Sequence, residues 1–174
     1  FFTVDEPTEL IITVDETGNV TCEDAANGFI DITISGGSPN YQCNWTSPNG
    51  FNSTSQDISN INAGTYTVSV LDENGCFKSV NIEISENAGM NLNGTTTDCI
   101  NENGIIEVNV TGGTPNYSYN LIFNNEVIDN NDSGIFTNLT NGNYSVLVID
   151  DYLCEAEENF TLSSAPFADF GIEN

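Results

Sequence analysis

Carboxylates and thiols are the only side chains here from which much chemistry could be built. The 174 residues contain 26 Asp and Glu, five Cys and one basic residue, Lys78, with no Arg and no His, for a formal net charge of −25. Carboxylates gathered in loops suit Ca2+, which takes roughly six to eight oxygen ligands. Asp72 and Glu73 follow a long apolar-alternating stretch, Asp150 and Asp151 stand at the matching place later, and Glu23 and Asp24 follow a cysteine. These six are the Ca2+ candidates, although neither an EF-hand nor a nonapeptide calcium pattern is present. The same residues can equally be read as a solvated acidic surface that keeps a long chain soluble and self-repelling.

The missing residue types exclude more than the present ones suggest. Nucleic-acid binding needs Lys and Arg to neutralise phosphates, and an anionic membrane surface would repel this chain. Without His the commonest proton shuttle is lost, and no carboxylate pair is singled out for hydrolysis. No stretch reaches the ~18 consecutive apolar residues of a membrane span. The sequence therefore reads as non-enzymatic, with no required cofactor, no nucleic-acid partner and no direct membrane insertion.

The chain repeats itself. Asn27-Gly28-Phe29-Ile30-Asp31-Ile32-Thr33-Ile34-Ser35-Gly36-Gly37-Ser38-Pro39-Asn40-Tyr41 returns as Asn103-Gly104-Ile105-Ile106-Glu107-Val108-Asn109-Val110-Thr111-Gly112-Gly113-Thr114-Pro115-Asn116-Tyr117. Gly64-Thr65-Tyr66-Thr67-Val68-Ser69-Val70-Leu71-Asp72 returns as Gly142-Asn143-Tyr144-Ser145-Val146-Leu147-Val148-Ile149-Asp150. The period is about 77 residues, the kind of regularity that marks a tandem array. Residues 1–7 resemble the end of a preceding repeat, 8–86 and 87–165 form two repeats, and 166–174 resemble the start of another. The reading is of a chain that continues in both directions, with neighbouring repeats as its first partners.

These patterns demand strands. Ile30, Ile32 and Ile34 alternate with Asp31, Thr33 and Ser35, and Tyr66, Val68 and Val70 alternate with Thr65, Thr67 and Ser69. Period-two alternation gives each strand one buried and one wet face. Asn-Gly steps mark turns, and the spacing predicts an all-β sandwich of six or seven strands per repeat. Gly36-Gly37 and Gly112-Gly113 could suggest a phosphate-cradling loop, but the following Lys and helix are missing. They are expected instead to supply positive φ in a tight connection. Tyr66 and Tyr144, each following Gly-x, match the tyrosine corner of immunoglobulin-like domains. Trp45 and Cys43 alternate with Tyr41 and are expected in the core. Phe51, in a polar turn, is the one weak candidate for stacking on a ligand.

Cys22 and Cys76 bracket one repeat, and Cys99 and Cys154 bracket the other. The pairing that works repeat by repeat is Cys22–Cys76 with Cys99–Cys154; the alternative is a set of reduced, buried thiols. Each such bond would close a long loop, worth about 4 kcal/mol by chain entropy, and would imply an oxidising, extracellular location.

The combined pattern Cys…Asn-Gly-x-Ile-x-(Ile/Val)-x-(Ile/Val)-x-Gly-Gly-x-Pro-x-Tyr, then (Ile/Leu)-x-x-Gly-x-Tyr-x-Val-x-Val-x-Asp and a cysteine, resembles the SprB repeat of Bacteroidota surface adhesins. The second copy departs from it at Leu121, where the first has Trp45, and at Tyr152-Leu153-Cys154, where the first has Asn74-Gly75-Cys76. The second departure suggests an altered turn. The resemblance implies two tandem immunoglobulin-like sandwiches in an extended array. It also implies a cell-surface filament tied to adhesion, gliding motility and type IX secretion. Within that reading a spacer or stalk role is favoured over direct binding of surface polysaccharide or an abiotic surface. The other reading is a carbohydrate-binding accessory domain pair of a secreted hydrolase.

Overall fold

The computed structural model describes residues 7–98 and 103–164. It forms two compact units, Phe1–Asn87 and Ala88–Asn174. Among the described residues every regular element is a strand. Of the expected ends at 1–7 and 166–174, all but Pro7 lie outside the described residues.

The first unit contains β1 (Ile11–Gly18), β2 (Gly28–Ser35), β3 (Gln42–Thr46), β4 (Asn52–Ser53), β5 (Ile58–Ile61), β6 (Gly64–Leu71) and β7 (Phe77–Ile84). They form one sheet ordered β1-β2-β5 and a second ordered β4-β3-β6-β7, with every ladder antiparallel. The alternation explains what lies between the sheets. Ile30 and Ile32 of β2 and Val68 and Val70 of β6 are at most 1% exposed, while Thr33 and Thr65 face solvent. Trp45 is fully buried, and its indole N–H donates to the carbonyls of Ser55 and Gln56 at 3.0 and 3.2 Å. Cys43 lies beside it as a buried free thiol, as its alternation with Tyr41 and Trp45 implied.

The second unit repeats the arrangement with β8 (Asn91–Thr97), β9 (Gly104–Thr111), β10 (Ser118–Phe123), β11 (Glu126–Asn131), β12 (Ile135–Leu139), β13 (Gly142–Ile149) and β14 (Glu155–Leu162). Its sheets are ordered β12-β9-β8 and β11-β10-β13-β14. Leu121 takes the place of Trp45, and Phe136 stands where the first unit has Ile58. All four are buried in their own core clusters. A smaller residue at one position and a larger one at the other holds core volume nearly constant, which is the exchange cores tolerate best.

The two-sheet order and the corner after β5 and β12 are those of an immunoglobulin-like sandwich. Tyr66 Oη donates to the Asn62 carbonyl at 2.9 Å, and Tyr144 Oη to the Thr140 carbonyl at 3.0 Å. Each therefore ties the start of its strand back to upstream backbone, as a tyrosine corner does.

Each sandwich has two poles. In the first unit β6 and β7 run in register from Gly64↔Ile84 at one end to Leu71↔Phe77 at the other. At the Ile84 end, the trailing pole, Val20 N–H donates to the Ser85 carbonyl at 2.9 Å and Asn87 N–H to the Val20 carbonyl at 3.1 Å. At the Phe77 end, the leading pole, Gly37 N–H donates to the Thr8 carbonyl at 2.8 Å.

Candidate functional site: the leading pole and its aspartate clamp

Two motifs that are far apart in sequence meet at the leading pole. The Gly-Gly-x-Pro-x-Tyr loop follows β2, and the Asp-x-x-x-Cys turn joins β6 to β7. Gly36 and Gly37 have φ of 71° and 58°, a region that L side chains rarely adopt. A Cβ on Gly36 would collide with the Glu9 carbonyl group, and one on Gly37 would sit 2.7 Å from Asp72 Oδ2. The glycines thus let the loop close over Asp72, and they make no phosphate cradle. Tyr41 Oη donates to the Gly36 carbonyl at 2.6 Å and pins the far side of the loop.

Asp72 is the hub. Only 3% of it is exposed. Its Oδ2 accepts the Ser38 N–H at 2.9 Å, and its Oδ1 accepts the N–H groups of Asn74 at 3.0 Å and Cys76 at 2.7 Å. The backbone donors, Ser38 foremost, hold its carboxyl below the ordinary value of 3.8 against the opposing effect of burial. The second unit reproduces the clamp. Asp150 Oδ2 accepts the Thr114 N–H at 2.8 Å, its Oδ1 accepts those of Tyr152 and Cys154, both at 2.9 Å, and Tyr117 Oη donates to the Gly112 carbonyl at 2.7 Å.

This geometry changes the reading of the acidic candidates. The oxygens of Asp72 and Asp150 are turned onto backbone donors, so neither is presented to a cation. Glu73 and Asp151 use their N–H groups to close the loop, onto the Ser38 and Thr114 carbonyls at 3.4 and 3.3 Å. Glu23 and Asp24 lie near Cys22, toward the trailing pole, away from Asp72 and Glu73. Among the described residues no three His, Cys, Asp or Glu side chains gather as a metal group. Phe51 is also relocated. It packs on the first core, edge-on to Tyr66 with ring centroids 5.4 Å apart, because the turn that carries it folds back over the sandwich.

The turn before Cys154 is not altered as expected. Gly75 and Leu153 both occupy the left-handed region, with φ of 83° and 63°. Their N–H groups donate to the Asp72 and Asp150 carbonyls at 3.1 and 3.0 Å. The clamp imposes the backbone, and Leu153 adopts it despite its Cβ while remaining 78% exposed.

The disulfide expectation needs a correction. Cys76 is an exposed free thiol, whereas Cys22 and Cys154 are disulfide-bonded. Cys22 follows Val20 at the trailing pole and Cys76 precedes β7 at the leading pole, so a strand of eight residues separates them. Eight residues of strand span about 25 Å, whereas bridged cysteines keep their Cα atoms within about 7 Å. A Cys22–Cys76 bond is therefore excluded. Bracketing a repeat in sequence placed these cysteines at opposite ends of the sandwich, not side by side. Cys99 lies outside the described residues, and with it the Cys99–Cys154 pairing. The Asp72 carboxylate beside Cys76 pushes its thiol up, with some help from burial.

The sequence left two participants of the clamp unassigned, Tyr41 and Tyr117. Their signal was the fixed Pro-x-Tyr spacing after the paired glycines.

Comparison with known proteins follows the same division. The SprB repeat family model matches residues 14–50 and 94–124. No curated protein matches the chain. Among solved structures, the chain is similar to Dpr2 Ig1–Ig2 at 13% identity and a TM-score of 0.35, over 90% of this chain and 65% of that one. It is similar to the N-terminal eight immunoglobulin domains of Down syndrome cell adhesion molecule at 12% identity and a TM-score of 0.41, over 90% of this chain and 25% of that one. It is also similar to a two-domain fibronectin type III segment of chicken tenascin at 17% identity and a TM-score of 0.31, over 90% and 99%. The chain thus spans less than two thirds of the length of the first two. The two stretches matched by the SprB repeat model fall one in each unit.

Proposed function

We propose that this chain is a repeat module of a large secreted cell-surface adhesin filament, acting mainly as a spacer that supports adhesion and gliding motility. The observation that carries the reading is the duplication of the clamp. Both repeats use the same aspartate-centred hydrogen-bond cluster to hold the pole where the chain enters the sandwich. The carboxylates best placed by sequence to bind something are turned inward onto backbone N–H groups. Disulfide-bonded Cys22 and Cys154 suit an oxidising, extracellular setting. The acidic surface suits a chain displayed in many copies, because like charges keep neighbours apart. No catalytic role is assigned.

The test is to present the purified chain to a glycan array and to abiotic surfaces, beside the full-length protein. The spacer reading expects adhesion from the full-length protein and none from the chain alone. Saturable, reproducible binding by the chain would replace it with a direct-binding role.

A further inference from the structure

We propose that each repeat is a tension-bearing link, with its terminal strands loaded along their length and a hydrogen-bonded lock at the trailing pole setting the load it withstands. The proposal rests on the spacer reading and adds the direction in which the spacer is strong.

The chain enters the first repeat at the leading pole and leaves it at the trailing pole. At the entry the Thr8 carbonyl accepts the Gly37 N–H at 2.8 Å, and at the exit the Asn87 N–H donates to the Val20 carbonyl at 3.1 Å. Between these points β1 runs from the leading to the trailing pole beside β2, from Ile11↔Ser35 to Gly18↔Phe29. β7 runs the same way beside β6, from Leu71↔Phe77 to Gly64↔Ile84. Tension between entry and exit therefore pulls along both strands. Ladder hydrogen bonds lie across the strand direction, so this pull loads all of them together. A ladder opened from one end would instead give way one pair at a time.

β1 and β7 belong to different sheets, so tension also acts to slide one sheet past the other. The lock that opposes this joins the segment after β1 to the end of β7. Val20 forms a parallel bridge with Glu86. Its N–H donates to the Ser85 carbonyl at 2.9 Å, its carbonyl accepts the Asn87 N–H, and Asn19 Oδ1 accepts the Ser85 N–H at 3.1 Å. Load from the entry draws Asn19 and Val20 toward the leading pole, while load at the exit draws Ser85 and Asn87 away from it. These bonds are therefore strained side by side. At the leading pole the Glu9–Lys78 ion pair, at 3.0 Å, ties the entry to β7, but an exposed pair adds little.

The second repeat keeps both anchors. At its entry the Gly113 N–H donates to the Ala88 carbonyl at 2.9 Å, and at its exit the Ser163 N–H donates to Asp98 Oδ1 at 3.1 Å. Asn19 has become Asp98, yet the side-chain acceptor is retained. The aspartate clamp serves the entry in both repeats, because Asp72 and Asp150 hold the N–H groups of Ser38 and Thr114, the residues directly after Gly37 and Gly113.

The test is single-molecule force spectroscopy on the chain, with Cys22 and Cys154 reduced so that every residue can extend. Held by its two ends at constant force, the chain should unfold in two steps, each releasing roughly 25 nm at ~3.6 Å per residue. Asn19→Ala should shorten the lifetime of one step about fivefold, the effect of removing one ordinary hydrogen bond from the unfolding barrier. Asp98→Ala should do the same to the other step. Both residues are exposed, so neither change disturbs the core. Anchored instead at Ile11 and Ser35, which face each other across the leading end of the β1–β2 ladder, the first repeat should open at clearly lower force, and Asn19→Ala should leave that force unchanged. The proposal is overturned if this second geometry is as strong as the first, or if neither substitution shortens a lifetime under end-to-end load. Either result would leave the spacer reading in place, whereas glycan binding by the chain would remove the spacer reading and leave the force measurements standing.

Discussion

Asp72 reaches back 34 residues to accept the N–H of Ser38 at 2.9 Å, while its other oxygen holds the N–H of Cys76 at 2.7 Å. One carboxylate thereby joins the loop after β2 to the turn before β7. That contact explains why the Gly-Gly-x-Pro and Val-x-Val-x-Asp motifs occur together in both repeats.

Because backbone donors depress the folded carboxyl below its ordinary 3.8, the stabilisation is full above that value. It is lost as pH falls through the lower folded value. Asp72→Asn should lower the melting temperature of the first repeat at neutral pH, and the gap from wild type should close on acidification below about pH 4. Melts followed by the fluorescence of Trp45, the only tryptophan, report this repeat. A gap that is independent of pH would contradict the clamp.

The same geometry bears on Ca2+. Serving a cation would require Asp72 and Asp150 to release their N–H donors. Millimolar Ca2+ against chelator should therefore leave the melting midpoints unchanged, and a clear upward shift would show a site that the clamp does not account for.

Leu153 occupies a backbone conformation that costs a non-glycine residue about 1–2 kcal/mol. Leu153→Gly should stabilise the second repeat by about 1 kcal/mol, and Gly75→Leu should destabilise the first by a similar amount. Denaturant titration of each variant measures both effects.

The tyrosine corners give a matched pair. The carbonyls of Asn62 and Thr140 belong to exposed residues and can turn to water when the phenol is lost. Tyr66→Phe and Tyr144→Phe should each cost only about 0.5–1.5 kcal/mol. Trp45→Ala, which empties a fully buried site, should cost about 3–5 kcal/mol.

Much of this was legible in the sequence. Alternation at Ile30, Ile32, Val68 and Val70 placed the core, Gly-x-Tyr announced the corners, and the paired glycines announced a turn. What was not legible depended on distance through the fold. Cys22 and Cys76 look like bracket ends until strand length separates them. Asp72 looks like a surface ligand until the loop from Gly36 closes over it. The repeats also diverge in ways no motif records. The N–H of Ile32 donates to the Asp57 side chain at 2.9 Å, whereas that of the matching Val108 donates to the Gly134 carbonyl at 2.8 Å.

The central claim, that these repeats stand outside the cell as links in a surface filament, is tested most directly by labelling intact, unpermeabilised cells with antibody raised against the chain. The account predicts labelling of intact cells in extended surface structures, removed by brief external protease treatment. Signal that appears only after permeabilisation would contradict it.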